Sequence, residues 1–326
     1  MITLNLAMNN QLLALAERIA ADYLQEKVIA SYPIIGKGFV NQVVAVQSAS
    51  RKLVIRMNDL DTYPVIQKEQ WCIKQATEAG IPGPQVLDIG TEEAIAYIIL
   101  SFVEGENGVD STADPIEVWR QLGQYVKRIQ SIPVQGYGEQ LKDPLQGRFV
   151  SPPHAGSDGS WQGYVQYNMN SLTEEDRLIG LGVMTWEEAQ QIHGIFSGLL
   201  QQSFVFGLAH GDLSLQNIMV SPAGQVILLD WGSAEVGVMP YGDILLVMQA
   251  SLKGGKPSKS EFQAFMEGRG LNEDDLPLLM PLLLLRSFDT LRWAIDRCPE
   301  RIEEYAAFAR QVVKMINISE TNKTSP

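Results

Sequence analysis

The chain has few residues that could cross-link it or hold a structural metal. Its 326 residues include two cysteines, Cys72 and Cys298, and three histidines. The cysteines lie far apart in the sequence, and neither has the spacing of a zinc site. Such a pair does not make a disulfide scaffold, so a reducing compartment is favoured. We therefore expect a cytoplasmic protein that is held together by packing.

Long apolar runs and excess positive charge are also missing. The longest apolar run, residues 276–285, is interrupted by Pro277 and Pro281 and is too short to span a bilayer. No basic segment followed by an apolar stretch marks a signal peptide at the N-terminus. The net charge is −13, which would repel a phosphate backbone. We expect neither a membrane nor a nucleic-acid partner, and the sequence does not indicate an oligomeric state.

The signatures of two common site types are absent. Gly254-Gly255-Lys256 is followed by Pro257 rather than by Ser or Thr, so it is not a phosphate-binding P-loop. There is no G-x-S-x-G sequence, and no plausible Ser-His-Asp set can be assembled, which argues against a serine hydrolase.

The most informative stretch runs from His210 to Gly232, with the sequence HGDLSLQNIMVSPAGQVILLDWG. Asp212 lies five positions before Asn217, and Asp230 ends the apolar run 226–229. Ser-Pro-Ala-Gly at 221–224 predicts a tight turn between two short strands. The spacing H-x-D-x-x-x-x-N followed by D-x-G is the kinase pattern.

This arrangement suits phosphoryl transfer, which needs a metal held against phosphates and an acceptor hydroxyl held in line. Mg²⁺ takes oxygen ligands and usually only one or two carboxylates. We therefore assign Asn217 and Asp230 to Mg²⁺, and Asp212 to the hydroxyl as the general base or orienting group. A polar loop beside a buried hairpin is the structural alternative.

A glycine-rich turn occurs earlier, where Gly36 and Gly38 separate two β-rich runs. Backbone N–H groups in such a turn can approach phosphates closely, because no side chain projects from it. An ordinary hairpin turn would have the same sequence.

HGDLSLQN together with LLDWG resembles the aminoglycoside phosphotransferase family, which shares the protein-kinase-like fold. Gly after His210 and Trp after Asp230 are typical of that family rather than of protein kinases. The segments Gly136-Tyr137-Gly138 and Ser160-Trp161 are similar to an insertion in hygromycin phosphotransferases. The resemblance covers about residues 25–300.

The resemblance implies an α+β, two-lobed kinase-like fold. A small antiparallel sheet lobe, 1–104, would bind the nucleotide, and a mainly helical lobe, 105–326, would carry the catalytic loop and the acceptor site. ATP or GTP, with Mg²⁺, would be the cofactors. Arg56 would contact the phosphates, with Glu69 as its partner, although a strand-end Arg facing water is the alternative. The backbone near Ser101 and Val103 would bind the adenine edge.

The acceptor is the least determined element. Residues 1–104 carry 11 acidic and 8 basic side chains, whereas residues 105–326 carry 27 and 17. The excess of acid in the second part predicts a cationic hydroxyl-bearing acceptor, an aminoglycoside or amino sugar. Candidate contacts are Glu235, Asp289 and Asp296, each of which could equally be ordinary acidic surface.

Two other functions share the motif. A metabolic kinase of the choline, homoserine, fructosamine or thiosugar type would carry the same residues. A pseudokinase that binds nucleotide and acts through partners is of a different class, and the presence of Asp212, Asn217 and Asp230 argues against it.

Overall fold

The structure, a computed structural model, describes residues 2–34, 42–151 and 159–321. The helices are α1 (Ile2–Leu24), α2 (Tyr63–Glu78), α3 (Pro115–Gln130), α4 (Trp161–Asn170), α5 (Arg177–Gly180), α6 (Trp186–Leu199), α7 (Gly242–Leu252), α8 (Lys259–Arg269), α9 (Leu276–Arg297) and α10 (Ile302–Thr321). The strands are β1 (Ala30–Pro33), β2 (Gln42–Gln47), β3 (Lys52–Asp59), β4 (Val86–Glu92), β5 (Ile95–Ser101), β6 (Glu106–Asn107), β7 (Gln135–Gly136), β8 (Gln140–Asp143), β9 (Arg148–Val150), β10 (Ile218–Val220) and β11 (Val226–Leu228).

The chain forms two compact units. The first contains Met1–Asp114 and Ser214–Ala234, and the second contains Pro115–Leu213 and Glu235–Pro326. These units differ from the lobes expected at 1–104 and 105–326, because residues 105–114 and 214–234 pack with the N-terminal part. The cause is β6, which pairs with β10 and so recruits the β10–β11 hairpin to the first unit.

The first unit is built on a five-stranded antiparallel sheet in the order β1-β2-β3-β5-β4. In β3 the apolar residues Leu53, Ile55 and Met57 are buried at alternate positions, as the period of a strand requires. Helix α1 adds Ala16 and Ile19 to the same core. The apolar spacing of residues 10–26 predicts a helix, and α1 begins earlier than this pattern, at Ile2.

The β10–β11 hairpin has the predicted form. Its two strands pair antiparallel from Ile218 opposite Leu228 to Val220 opposite Val226. The turn closes through Ser221 N–H donating to the Gln225 carbonyl at 2.9 Å. Gly224 takes a φ of +78°, which a residue without Cβ adopts without strain.

The second unit is mainly helical. Helices α3 and α8 approach closely at Gly123 and Gly268, where a Cβ would lie 2.0 Å from a carbonyl of the facing helix. Helix α9 supplies the fully buried run 282–285. Thr185 and Glu188 have the spacing that predicts a capping box, and the structure confirms one at the start of α6.

The Gly, Pro and Ser content of residues 136–170 predicts a long loop, but the described part of this segment contains regular structure. Strands β7, β8 and β9 form a small sheet, and α4 begins where the Ser160 side chain accepts a hydrogen bond from Gly163 N–H at 2.9 Å. The expectation failed because these strands have only two to four residues, too few to show alternation. In the described part of the chain, no helix has the length and apolarity needed to cross a membrane.

Candidate active site

The two proposed metal ligands lie at the same end of the β10–β11 hairpin. Asn217 directly precedes β10, and its carbonyl accepts from Leu229 N–H at 2.9 Å. Asp230 is the next residue after Leu229, in the left-handed conformation with a φ of +52°. The hairpin register therefore places the backbones of Asn217 and Asp230 near each other, although the two are thirteen positions apart in the sequence.

The carboxylate of Asp230 is suited to a divalent cation. Its Oδ1 accepts from Arg56 at 3.0 Å and from Gly232 N–H at 3.4 Å. Within the described residues, Oδ2 has no hydrogen-bond partner, and the side chain is 40% exposed. No cluster of three or more His, Cys, Asp or Glu able to hold a metal occurs among those residues. An Asn and an Asp match the limited ligand set that Mg²⁺ takes from a protein.

Arg56 connects the sheet, helix α2 and the loop that carries Asp230. It lies on β3 opposite Ile98, and its guanidinium pairs with Glu69 Oε2 and with Asp230 Oδ1. Glu69 is 1% exposed, and its Oε1 accepts from Trp231 N–H at 3.3 Å. Burial lowers the pKa of Arg56, and the neighbouring Asp230 carboxylate opposes that shift. The expected Arg56–Glu69 ion pair is therefore present, and it is buried rather than facing water.

The loop that carries Asp212 is held within the second unit by Asp243. This buried carboxylate, on the first turn of α7, accepts from His210 N–H at 2.8 Å and from Gly211 N–H at 2.9 Å. His210 is fully buried, and its Nδ1 lies 3.4 Å from Asp212 N–H. Charge-assisted hydrogen bonds of this kind fix the backbone that presents Asp212 to solvent. The kinase-like fold that the resemblance implies predicts an Asp here that braces the loop through backbone N–H groups, and Asp243 makes these contacts.

The chain passes from the second unit to the first between Leu213 and Ser214. Asp212 is therefore described with the second unit, and Asn217 and Asp230 with the first.

The other residues proposed to contact the nucleotide differ in what the structure shows of them. Ser101 ends β5, and its N–H donates to the Gln85 carbonyl at 2.9 Å, so this donor is used within the sheet. Val103 follows the strand in irregular backbone and is half-buried. Gly36 and Gly38 lie outside the described residues.

The three candidate acceptor contacts differ in their surroundings. The backbone of Glu235 pairs with that of Ala209, next to the loop that carries Asp212, and Glu235 lines a small open pocket. Asp289, on α9, accepts a hydrogen bond from Tyr164. Burial, together with the Asp289 charge, raises the pKa of Tyr164 well above its usual value, so the phenol stays protonated. Asp296 is exposed and pairs with Arg177 at 3.0 Å.

Two features of the structure were not predicted. A polar network joins α4 to α9, where Arg292 donates to Asn168 at 2.9 Å and to Asp176 at 2.6 Å. Lys68, next to Glu69 on α2, is buried and donates to the Ala234 carbonyl at 2.8 Å. The local sequence does not indicate this burial, because the carbonyl that Lys68 contacts lies 166 positions away.

A family model described as the phosphotransferase enzyme family matches residues 31–242, well over half of the chain. The chain belongs to this family. No curated protein sequence matches it.

Solved structures with the same fold include members of this family and related kinases. Aminoglycoside phosphotransferase APH(4)-Ia has a TM-score of 0.66 and 16% identity, covering 92% of this chain and 97% of that one. Spectinomycin phosphotransferase APH(9)-Ia, solved with ADP and spectinomycin, has a TM-score of 0.52 and 16% identity, covering 91% and 94%. Plasmodium vivax ethanolamine kinase has a TM-score of 0.51 and 15% identity, covering 87% and 82%.

These matches confirm the predicted family, the kinase-like fold and the phosphotransferase class. The matches also confirm the activity that the resemblance implies, which is ATP-dependent phosphoryl transfer to a small molecule. At such low identity the neighbours establish the fold, and they do not name the acceptor.

Proposed function

We propose that the chain transfers the γ-phosphoryl group of ATP to a hydroxyl of a small cationic acceptor, an aminoglycoside or another amino sugar. The observation that best supports this proposal is the position of Arg56. Its guanidinium pairs with Glu69, which is buried, and also with Asp230. A guanidinium oriented by one carboxylate and placed beside a second is suited to phosphate oxygens that arrive with a metal.

Each residue then has a role in the reaction. Asp212 accepts or orients the acceptor hydroxyl, and Asp243 keeps the backbone around it in place. Arg56 contacts the phosphates, and the backbone of Val103 and Ser101 meets the adenine. Asn217 and Asp230 hold Mg²⁺, which when bound neutralises phosphate charge and orients the transferred group.

The acceptor assignment rests on charge. Glu235 is the strongest of the three candidates, because its backbone pairs with Ala209, the residue before His210, and it lines a cavity with Asp243. Asp289 is already engaged by Tyr164, so it would act within that pair. Asp296 is tied to Arg177 on the surface and would have to exchange that partner for a ligand.

A second candidate acceptor class is the amino alcohols, since an ethanolamine kinase shares the fold. These acceptors are also cationic and carry a hydroxyl, but they are much smaller than an aminoglycoside. Both candidates predict the same use of Asp212 and differ in the acceptor alone.

The test is acceptor-dependent ADP release with Mg-ATP across aminoglycosides, simple amino sugars, amino alcohols and neutral sugars, with Asp212→Asn as the matched inactive control. The proposal expects turnover with amino sugars that the variant loses. Turnover confined to amino alcohols would shift the assignment to that class. Preference for a neutral acceptor would overturn the cationic proposal, and nucleotide binding without any transfer would indicate the pseudokinase.

A further inference from the structure

The loop that carries Asp230 is attached to one face of helix α2. Glu69 Oε1 accepts from Trp231 N–H at 3.3 Å, and Lys68 Nζ donates to the Ala234 carbonyl at 2.8 Å. Val65 packs beside Gly232, within 4.0 Å of the position a Cβ would take there. Val65, Lys68 and Glu69 have the i, i+3, i+4 spacing that places three side chains on one side of a helix.

The contacts lie at both ends of a single turn. Ala234 N–H donates to the Trp231 carbonyl at 3.0 Å, which closes the turn on itself. Glu69 therefore holds the first residue of the turn and Lys68 the last. Asp230 directly precedes this turn, in a left-handed conformation that a non-glycine residue adopts only when its surroundings impose it.

Lys68 is unusual for its burial. It is 5% exposed, whereas Lys74, six positions later on the same helix, is exposed. Removing an ammonium group from water is costly unless it gains hydrogen bonds, so a buried lysine is kept in one geometry. Its bond to a backbone carbonyl does not depend on which side chain occupies position 234.

We infer that Lys68 is a positioning residue for the metal site: by holding Ala234 it fixes the turn that sets the direction of the Asp230 carboxylate. Glu69 alone leaves the far end of the turn free to move. The inference rests on the proposed function, because it takes Asp230 as a ligand of Mg²⁺. It concerns the second anchor of the loop, which is separate from the Arg56–Glu69 pair.

The test measures binding of the non-hydrolysable analogue AMP-PNP by calorimetry, with Mg²⁺ and in its absence with EDTA. Lys68→Met keeps the length of the side chain and removes the donor. We expect it to reduce the Mg²⁺-dependent gain in affinity by about tenfold or more, the factor carried by one hydrogen bond from a charged donor. Affinity in EDTA should stay within about twofold, since the phosphate contacts of Arg56 are untouched.

Three further variants sharpen the test. Lys74→Met is the matched control and should behave as the unmutated protein. Lys68→Arg keeps a charged donor and should recover most of the metal-dependent gain. Asp230→Ala marks complete loss of that gain. Equal weakening of binding with and without Mg²⁺ in Lys68→Met, or no weakening, would overturn the inference. Absence of any Mg²⁺ effect in the unmutated protein would instead reject the metal site of the proposed function.

If Lys68→Met does not fold, amide hydrogen exchange on the unmutated protein tests the inference instead. Mg²⁺ with AMP-PNP should slow exchange in the 230–235 segment and in the 65–72 part of α2 together. The reason is that Glu69 and Lys68 attach the two ends of the turn to α2. Slowing confined to 230–235 would contradict the role of Lys68.

Discussion

Asp212 is presented by a rigid backbone. Its loop is fixed by two hydrogen bonds to Asp243, while its own side chain is exposed. Asp212→Asn should therefore leave the fold and nucleotide affinity nearly unchanged and lower kcat by at least about a hundredfold, the usual range for loss of a general base. Calorimetric titration with AMP-PNP measures the nucleotide affinity, and steady-state kinetics measure kcat. Near-normal turnover would remove Asp212 from the reaction.

Arg56 and Glu69 should not be equivalent when each is removed. Arg56→Ala deletes the proposed phosphate contact in a mostly buried position, and a hydrogen bond to a charged group contributes about 1.5–3 kcal/mol. The KM for ATP should rise by the factor that corresponds to this free energy. The KM for the acceptor should rise less. Glu69→Ala leaves the guanidinium its charge and its Asp230 partner, so its effect should be weaker but in the same direction. A silent Glu69→Ala beside a severe Arg56→Ala would show that Asp230 alone orients the arginine.

The buried thiol of Cys72 can report when helix α2 opens. Burial raises the pKa of Cys72 to about 12, although nearby Lys68 opposes the shift. At pH 8 only roughly one such thiol in ten thousand is the reactive thiolate. We expect Cys72 to resist a disulfide reagent while Cys298, partly exposed on the second unit, reacts first. In Cys298→Ser the remaining reaction should appear only as α2 opens. Labelling of that variant as fast as a free thiol would show that α2 is not docked.

Elements with local signals could be predicted from the sequence. The capping box of Thr185 and Glu188 defines the start of α6 within a few residues, and the Ser221–Gly224 turn defines the β10–β11 hairpin. The same turn signal predicts that Asn217 and Asp230, the proposed metal ligands, lie at one end of that hairpin. In each case the determining contacts lie close together in the sequence.

Features made by distant pairings could not be predicted. Strands β7 and β9 pair in parallel through only two residue pairs, which leaves no periodic pattern. Lys68 gains its role from Ala234, 166 positions away, and a lysine beside a glutamate on a helix usually indicates a solvated face. The recruitment of residues 214–234 to the first unit likewise depends on β6, a two-residue strand with no sequence signal of its own.

At the scale of the whole molecule, the net charge of −13 should attract a cationic acceptor. Such attraction is screened by salt, with a Debye length of about 8 Å at 0.15 M ionic strength. The KM for an amino-sugar acceptor should therefore rise as salt is increased, and Glu235→Gln should reduce that dependence. Asp296→Asn provides a comparison for a carboxylate already paired on the surface. A KM that does not change with salt would reject electrostatic recognition of the acceptor.

The return of residues 214–234 to the first unit has a consequence for synthesis of the protein. The five-stranded sheet and Arg56 leave the ribosome early, but β10, β11 and Asp230 follow only after residues 115–213 have been made. Until then Arg56 and Glu69 have no Asp230 loop to pair with. Contacts between residues so distant in sequence form slowly, because a long loop must close before they are gained. A nascent chain that stops short of Ser214 thus lacks both proposed metal ligands, and the site is completed only in the last third of translation.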